Sequence, residues 1–369
     1  MTIDLFQPFK LGSLEIRNRF MRSATWDATA GPDGEVTENS LALFGRLAKG
    51  DIGLIVTGYA FVSPMGRAAK GQYGIDSDAK LPGLRRLTDL VHQSGGKIAV
   101  QIMHAGMNSR YLMDNGITPL AVANVPEADQ PHRQMSDEDI ERITEEFVTA
   151  SKRAVAAGFD AVQLHGAHGF LITQFISPIT NRRQDRWGGS PENRRRFLLA
   201  VTERVAKAIA PVPLLIKFGV QDDREGGLAR DEGVETARQM AAGGMAGIEI
   251  SAGIGTSTLS TKEGAPERAY YRERAAAVKR AVSIPVALVG GIRSLAMAQS
   301  VIDSGDADMI SICRPFIREP ELLKRWQRGD RRPARCISCN RCFMFPSKGE
   351  PLECGEEWRL REQAAGRKA

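Results

Sequence analysis

Eight short runs rich in valine and isoleucine alternate with longer amphipathic stretches, and this alternation constrains the fold more than any other feature of the chain. The runs are Arg19–Arg22, Ile52–Thr57, Ile98–Ile102, Ala161–Leu164, Pro213–Phe218, Gly247–Ser251, Pro285–Val289 and Asp308–Ile312. Helical patterns lie between them, as at Asp137–Ala156, where Ser136 is placed to cap the helix. Eight strand–helix units predict an α/β protein with a (β/α)8 TIM barrel, and a doubly wound sheet is the alternative.

The distribution of charge predicts a short extension after the barrel. The chain of 369 residues has 50 Lys and Arg against 44 Asp and Glu, a net charge of +6. The segment Arg314–Ala369 alone has 14 basic and 8 acidic residues, so it carries the whole excess. We expect a barrel over residues 1–327 and a basic extension with four cysteines over residues 328–369. A basic segment suits a phosphate group, an acidic partner or nucleic acid, but no nucleic-acid motif accompanies it, so we expect no nucleic acid.

Composition and cysteine usage indicate where the protein works. Hydrophobic residues make up 42% and charged residues 25%, which is typical of globular proteins and excludes fibrous and disordered classes. Residues Met1–Lys10 lack the pattern of a secretory signal, and no apolar run is long enough to span a membrane. Four of the five cysteines lie between Cys336 and Cys354, which favours thiolate ligands in a reducing compartment. We expect a cytoplasmic protein that does not bind membranes.

Polar and glycine residues at the ends of the predicted strands are the candidate site, because chemistry in such barrels sits on the loops after the strands. These candidates are Ser23, Ala24, Thr25, Trp26, Gln101, His165, His168, Lys217, Gly290, Gly291, Cys313 and Arg314. A glycine pair after the seventh strand and an arginine after the eighth together predict a phosphate-binding site.

His165 and His168 stand three residues apart where the fourth strand ends. One interpretation is that they pack or cap locally, and another is a metal site, although no carboxylate ligand is nearby. The favoured interpretation is that both donate hydrogen bonds to one carbonyl oxygen and so stabilise a developing enolate.

Four motifs resemble the old yellow enzyme family of FMN-dependent ene reductases, from Leu5 to about Trp326. The most specific is HGAHGFLITQFISPITNRRQDRWGGSPENRRRF, and the others are VQIMHAG, IPVALVGGIR and LEIRNRFMRSAT. The sequence is most similar to the branch that contains 2,4-dienoyl-CoA reductase and trimethylamine dehydrogenase.

The resemblance assigns roles to the candidate residues. It implies that Ser23, Ala24 and Thr25 lie along the FMN ring with Tyr59 or Ala60 nearby, and that Gln101 bonds the pyrimidine edge of the flavin. Lys217 replaces the arginine that usually faces the flavin N1 and O2 atoms, where a fixed cation favours the anionic reduced flavin. Gly290, Gly291, Cys313 and Arg314 fall in the phosphate region, and the histidine pair corresponds to the carbonyl-binding donors of the family.

Three residues depart from the family pattern. Phe170 stands where a proton-donating tyrosine is usual, so Tyr111, Tyr271 or water must supply the proton, or the reaction needs no donor. Trp26 stands where a threonine or cysteine often tunes the flavin, and its indole narrows the pocket, stacks on substrate or simply packs. Cys313 replaces a glycine before the phosphate arginine, a place where a buried cysteine is most often an apolar filler.

The extension carries Cys336, Cys339 and Cys342 at CxxCxxC spacing, and Cys354 follows after eleven intervening residues. Four thiolates in this pattern suit a [4Fe-4S] cluster or zinc, and the third interpretation is that the cysteines bind nothing. Relatives with a cluster carry a further nucleotide-binding domain, for which this sequence has no room. If a cluster is bound, we expect its electrons to come from a separate reductase partner or another subunit, with the basic extension as the docking face.

The sequence thus predicts an FMN-dependent oxidoreductase that transfers hydride from flavin N5 to an alkene conjugated to a carbonyl. NADH or NADPH would reduce the flavin, and we expect a small-molecule substrate and a homo-oligomer. The alternatives are a dehydrogenase of amines or other electron-rich substrates and a flavin and iron–sulfur electron carrier.

Overall fold

The computed structural model describes residues 3–128, 130–255 and 267–366, and within them eight parallel strands close into a barrel. The strands are β1 (Phe20–Arg22), β2 (Leu54–Phe61), β3 (Ile98–Met103), β4 (Ala161–Gly166), β5 (Leu214–Gly219), β6 (Gly247–Ser251), β7 (Val286–Val289) and β8 (Met309–Ile312). Each strand pairs in parallel with the next along the chain, and β8 pairs with β1. The predicted (β/α)8 barrel is confirmed, and the doubly wound sheet is excluded because the ring is closed.

A helix follows each barrel strand. These helices are α1 (Glu38–Ala48), α2 (Leu81–Gln93), α3 (Asp137–Ala156), α4 (Pro191–Ile209), α5 (Arg230–Ala242), α6 (Arg272–Ala281), α7 (Leu295–Asp303) and α8 (Leu322–Gln327). Further helices lie in the loops and in the extension, at Arg110–Asp114, Leu171–Ile176, Arg314–Arg318 and Gly355–Ala364. Across the described part of the chain, no helix has both the length and the apolar character that a membrane crossing requires.

The start of α3 is where the sequence predicts it. The Ser136 hydroxyl accepts a hydrogen bond from the Asp139 backbone N–H at 3.2 Å, and the Asp139 carboxylate accepts one from the Ser136 N–H at 3.1 Å. This reciprocal pair is a capping box, which satisfies two N–H groups that the first helical turn would otherwise leave unbonded. An N-cap of this kind contributes about 1 kcal/mol to stability.

A short antiparallel hairpin, Phe9–Leu11 with Leu14–Ile16, closes the amino-terminal end of the barrel. Leu11 and Ile16 are buried in one cluster with residues near the start of the barrel strands, such as Met21 and Leu215. The hairpin plugs this end with apolar side chains, so the open end is the one where the strands finish. The sequence pattern did not predict the hairpin, because each of its strands is only three residues long.

Strand β2 runs four residues beyond its predicted end at Thr57. Its pairing with β3 shifts register between Val56 and Tyr59, as at a β-bulge. A bulge inserts an extra residue and re-aims the side chains that follow it. Tyr59 consequently faces the open end of the barrel, whereas the next residue, Ala60, is fully buried in the core.

The residues after α8 lie against the open end of the barrel. The Leu352 N–H donates to the Asp27 carbonyl at 2.8 Å, and the Ala334 N–H donates to the Arg293 carbonyl at 2.7 Å. Asp27 and Arg293 both lie in loops that follow barrel strands. The extension therefore contacts the loops in which the sequence places the site.

Candidate active site

A cleft of about 580 Å3 occupies the end of the barrel where the strands finish. Fourteen of the residues that the sequence singled out line it: Ser23, Ala24, Thr25, Trp26, Tyr59, Gln101, His165, His168, Phe170, Lys217, Tyr271, Gly290, Cys313 and Arg314. Because the strands are parallel and neighbouring, side chains as far apart in sequence as Ser23 and Arg314 meet here. A cleft of this size suits a cofactor together with a small substrate.

Three of the predicted site residues lie outside the cleft. Ala60 is in the core of β2, and Gly291 lines a small adjoining cavity with Gly290 and Arg314. Tyr111 is in the short helix after β3, where its ring is covered by the Arg67 guanidinium at 3.9 Å from the ring centroid. This cation–π contact holds Tyr111 away from the cleft.

The two histidines converge at the end of β4. Their rings are 5.2 Å apart and nearly perpendicular. The Nδ1 atom of His165 accepts a hydrogen bond from the Ala167 N–H at 3.3 Å, so the ring proton of the neutral form is on Nε2. His168 has a positive φ of 61°, and its Nε2 lies 2.9 Å from the Ser251 hydroxyl. Backbone and hydroxyl contacts thus fix both rings.

Both histidines are neutral in this environment. Burial, with the positive charge of Lys217 nearby, lowers the pKa of His168 to about 3. The pKa of His165 is also well below its ordinary value because the ring is buried and faces His168 and Lys217. At neutral pH the pair therefore presents ring N–H donors without a positive charge.

Lys217 lies in β5 with its side chain almost completely buried. Its ammonium group donates to the Ser23 hydroxyl at 2.7 Å and to the Ala24 carbonyl at 3.2 Å. The carboxylate of Glu249 is 3.7 Å away. The cation is therefore held against the loop after β1, on the floor of the cleft.

An aromatic cluster forms one wall beside the histidines. The Phe170 ring centroid is 4.9 Å from that of His165 and 5.6 Å from that of Tyr59. The Tyr59 hydroxyl makes no hydrogen bond to any residue that the structure describes, so it faces the cleft. Burial and the nearby Asp27 carboxylate raise the pKa of Tyr59, which keeps this phenol protonated.

The loop after β8 joins the cleft to the extension. The Cys313 thiol is 3.0 Å from the Thr25 hydroxyl. The Arg314 guanidinium donates to the Ser338 carbonyl at 3.3 Å and to the Asn340 side-chain oxygen at 2.5 Å. Arg314 lines the cleft, the small cavity beside Gly291 and the cavity beside the cysteines. This arginine therefore links the predicted phosphate region to the cysteine loop.

The four cysteines of the extension all line one small cavity and form no disulfide. Burial and the neighbouring thiols raise the pKa of Cys342 to about 12, and burial raises the pKa of Cys336 as well. Within residues 3–128, 130–255 and 267–366, no group of three or more His, Cys, Asp or Glu side chains is arranged to hold a metal ion. The side chains of Cys336, Cys339, Cys342 and Cys354 thus line one space in the extension.

Sequence reasoning missed several polar residues of the site. Glu249 and Gln163 are buried inside the barrel, and Ser251, Asn108 and Tyr270 line the cleft. A signal existed for the two strand residues, because a glutamate and a glutamine interrupt otherwise apolar runs whose side chains alternate between the two faces of a strand. Gln163 stands two positions before His165, and Glu249 stands two positions before Ser251. The members of each pair therefore point to the same face of their strand, which is the inside of the barrel.

Comparison with known proteins supports the barrel fold and identifies the family. The family model described as "NADH:flavin oxidoreductase / NADH oxidase family" matches residues 4–332. The chain belongs to this family, to which the old yellow enzymes are related in structure. The resemblance that the motifs indicate is therefore confirmed.

Two relatives show how much of their length the chain shares. It is 36% identical to the NADH oxidase of Thermoanaerobacter brockii, across 91% of this chain and 53% of the relative. It is 33% identical to an NADPH dehydrogenase of Geobacillus sp. (strain WCH70), across 87% of this chain and 92% of the relative. The chain thus spans about half of the first relative and nearly all of the second.

Three solved structures are similar to the whole barrel. The complex of 2-naphthoyl-CoA reductase with 2-naphthoyl-CoA has a TM-score of 0.88 at 26% identity and covers 97% of this chain and 58% of its own. Histamine dehydrogenase from Rhizobium sp. 4-9 has a TM-score of 0.82 at 26% identity, over 95% of this chain and 51% of its own. An old yellow enzyme homologue from Zymomonas mobilis has a TM-score of 0.76 at 26% identity, over 90% of this chain and 94% of its own.

Proposed function

We propose that this chain binds FMN and reduces an alkene conjugated to a carbonyl group. The proposal rests mainly on one cleft that contains two neutral histidine donors, His165 and His168, beside the buried cation of Lys217. The residues fit FMN: Lys217 and Gln101 line the cleft and would meet the flavin ring, and Gly290, Gly291 and Arg314 line an adjoining cavity that would take the phosphate. When bound, FMN supplies the hydride for the reaction.

The histidine pair positions the substrate. Two N–H donors that converge on one carbonyl oxygen withdraw electrons from the conjugated alkene and stabilise the negative charge that develops on oxygen. Because the pair is held by Ala167 and Ser251, little reorganisation is needed when the charge appears. The rings of Phe170 and Tyr59 form an aromatic wall on this side of the cleft.

Tyr59 is the proposed proton donor in place of the tyrosine that Phe170 replaces. The reduction adds a hydride to the β-carbon and needs a proton at the carbon next to the carbonyl. Of the two tyrosines that the sequence offered as donors, Tyr111 lies outside the cleft and Tyr271 lines it. Tyr59 is favoured over Tyr271 because its ring lies next to those of both Phe170 and His165. Its phenol has no other partner among the described residues, and water restores the proton after transfer.

Anaerobic spectroscopy of the purified protein tests this function. Flavin absorption is expected to bleach on addition of NADH or NADPH, in line with the family to which the chain belongs. Addition of 2-cyclohexenone should then restore the oxidised spectrum and yield cyclohexanone. A protein without flavin, or a reduced flavin that 2-cyclohexenone does not reoxidise, would overturn the proposal.

A second candidate is the oxidation of an amine, with electrons passed to a partner. Two observations favour it: Phe170 removes the usual proton donor, and a histamine dehydrogenase is among the similar structures. In that case an amine such as histamine bleaches the flavin without any nicotinamide. Bleaching by nicotinamide alone, followed by enone turnover, would exclude this candidate.

We infer further that the four cysteines of the extension bind a [4Fe-4S] cluster, with zinc as the alternative. The support is the donor set, since four thiols line one cavity beside Arg314 and Arg318. Iron, zinc and acid-labile sulfide assays on protein purified without oxygen decide between them. Matching iron and sulfide indicates the cluster, zinc alone indicates a structural site, and neither overturns both assignments. A cluster would in turn imply an electron-transfer partner.

A further inference from the structure

A buried carboxylate lies at the centre of the barrel, below the proposed flavin site. Glu249 is in β6, directly opposite Lys217 of the neighbouring strand in the sheet register. The two side chains are 1% and 4% exposed, and their charged atoms are 3.7 Å apart. No family motif in the sequence includes this glutamate, and the proposed reaction does not use it.

The partners of Glu249 show that its side chain is ionised. The Ser23 hydroxyl, which already accepts from Lys217, can donate only to Glu249, at 2.6 Å from Oε1. Ser311 also donates to Oε1, at 2.7 Å, and the Gln163 amide donates to Oε2 at 3.0 Å. Both oxygens of Glu249 thus accept hydrogen bonds and neither donates one, as expected for a carboxylate next to a cation.

The same carboxylate orients the amide that faces the flavin ring. Because Glu249 only accepts, Gln163 must turn its NH2 group toward it and its oxygen toward Gln101. The Gln101 NH2 group donates to that oxygen at 2.7 Å. The Gln101 oxygen and second N–H are therefore left for the cleft, so one buried charge determines which groups Gln101 presents there.

We propose that Glu249 is a positioning residue that sets the reduction potential of the bound flavin. It holds Lys217 and Ser23 in place, fixes the orientation of Gln101 through Gln163, and offsets the charge of Lys217. The cation opposite the flavin then stabilises the anionic reduced form less than an unpaired lysine does. This inference rests on the proposed binding of FMN but not on the identity of the substrate.

The test compares the affinities of oxidised and reduced FMN in Glu249→Gln and the wild type. Removal of the negative charge leaves Lys217 uncompensated, so reduced FMN should gain about tenfold over oxidised FMN. For a two-electron couple this change is a rise of about 30 mV in midpoint potential. Anaerobic dye equilibration measures the potential, and reconstitution of the apoprotein measures the two dissociation constants.

Two further variants make the result specific. Glu249→Asp keeps the charge and should leave the affinity ratio within about twofold of the wild type. Ser311→Ala removes one donor to the same oxygen without changing the charge, and should move the ratio much less than Glu249→Gln. If Glu249→Gln alone does not fold, the substitution is made in a Lys217→Gln background. The double variant is then compared with Lys217→Gln, and it must bind reduced FMN more tightly relative to oxidised FMN than its parent does.

An unchanged ratio in Glu249→Gln, or in the double variant against its parent, would overturn the role of Glu249. No enone enters these measurements, so a protein that fails to reduce alkenes leaves the result intact. Wild-type protein that binds no FMN would overturn both this inference and the proposed function.

Discussion

At the scale of single residues, the protonation state of the histidine pair decides how the site works. Burial and the positive charge of Lys217 keep His165 and His168 neutral. A charged pair would bind anions, whereas a neutral pair binds a carbonyl oxygen and strengthens its hydrogen bonds as negative charge develops. The site is thus suited to a polarised, uncharged acceptor.

Removal of either ring should slow the reaction with the substrate. In His165→Ala and His168→Ala, the rate at which 2-cyclohexenone reoxidises the reduced flavin is expected to fall by about 100-fold, the usual cost of one lost oxyanion donor. Stopped-flow absorbance measures this rate. His92→Ala is the control, because His92 lies on α2 and pairs with Asp160 outside the cleft. Reoxidation at the wild-type rate in both site variants would contradict the role of the pair.

The pH dependence of the same step follows from the pKa values. His168 is fully neutral at any pH well above its pKa of about 3. Tyr59 remains protonated because its pKa is raised. The rate of enone reoxidation should therefore vary less than about twofold between pH 5 and pH 8, where an ordinary histidine titrates. A transition near pH 6.5 in the wild-type profile would show that a histidine of the site is not neutral.

Substitution of Tyr59 tests the source of the proton. Tyr59→Phe should lower the rate of enone reduction by about 100-fold, since general acids contribute 10²–10⁴-fold. Tyr111→Phe is the matched control, as its ring lies on Arg67 outside the cleft. If Tyr59→Phe keeps full activity while Tyr271→Phe loses it, the donor is Tyr271, which also lines the cleft.

At the scale of elements, the sequence predicts the strands well and their interior partners poorly. Periodicity and strand-end composition place His165, Lys217 and Arg314 at one mouth, because a parallel barrel gathers its strand ends whatever the loops do. The end of β2 was predicted too early, since Thr57 and Gly58 look like the start of a turn and the bulge is invisible in the pattern. The hydrogen-bond partners of a buried polar residue lie on neighbouring strands. The spacing of residues in the sequence does not reveal which residues of those strands come into contact with it.

The glycine pair after β7 gives a prediction at this scale. A Cβ atom at Gly291 would lie 1.9 Å from the Arg268 carbonyl oxygen, and its φ is +81°. Gly291→Ala should therefore displace the loop and weaken FMN binding by at least about tenfold in a fluorescence titration. Gly305→Ala separates backbone strain from crowding, because Gly305 has φ +70° with nothing within 4 Å of a Cβ. Equal FMN affinity in both variants would exclude Gly291 from the phosphate region.

At the scale of the whole molecule, the hairpin and the extension assign different tasks to the two ends of the barrel. The hairpin seals one end with apolar side chains, while the extension reaches the loops around the cleft at the other. The basic excess of the extension is partly neutralised within it, for example by pairs of Arg332 with Asp330 and Arg341 with Glu356. The extension contacts Arg314, which also lines the cleft. A change in charge at the cysteines is therefore expected to alter the electrostatic environment of the cleft.

The proposed reaction is tested most directly by a single turnover in the absence of oxygen and of any nucleotide donor. The bound FMN is reduced photochemically, mixed with 2-cyclohexenone, and the products are counted against the flavin. We predict one cyclohexanone formed for each flavin reoxidised, in step with the return of the oxidised spectrum. Flavin that stays reduced, or is reoxidised without forming the saturated ketone, would contradict the assignment of this barrel as an ene reductase.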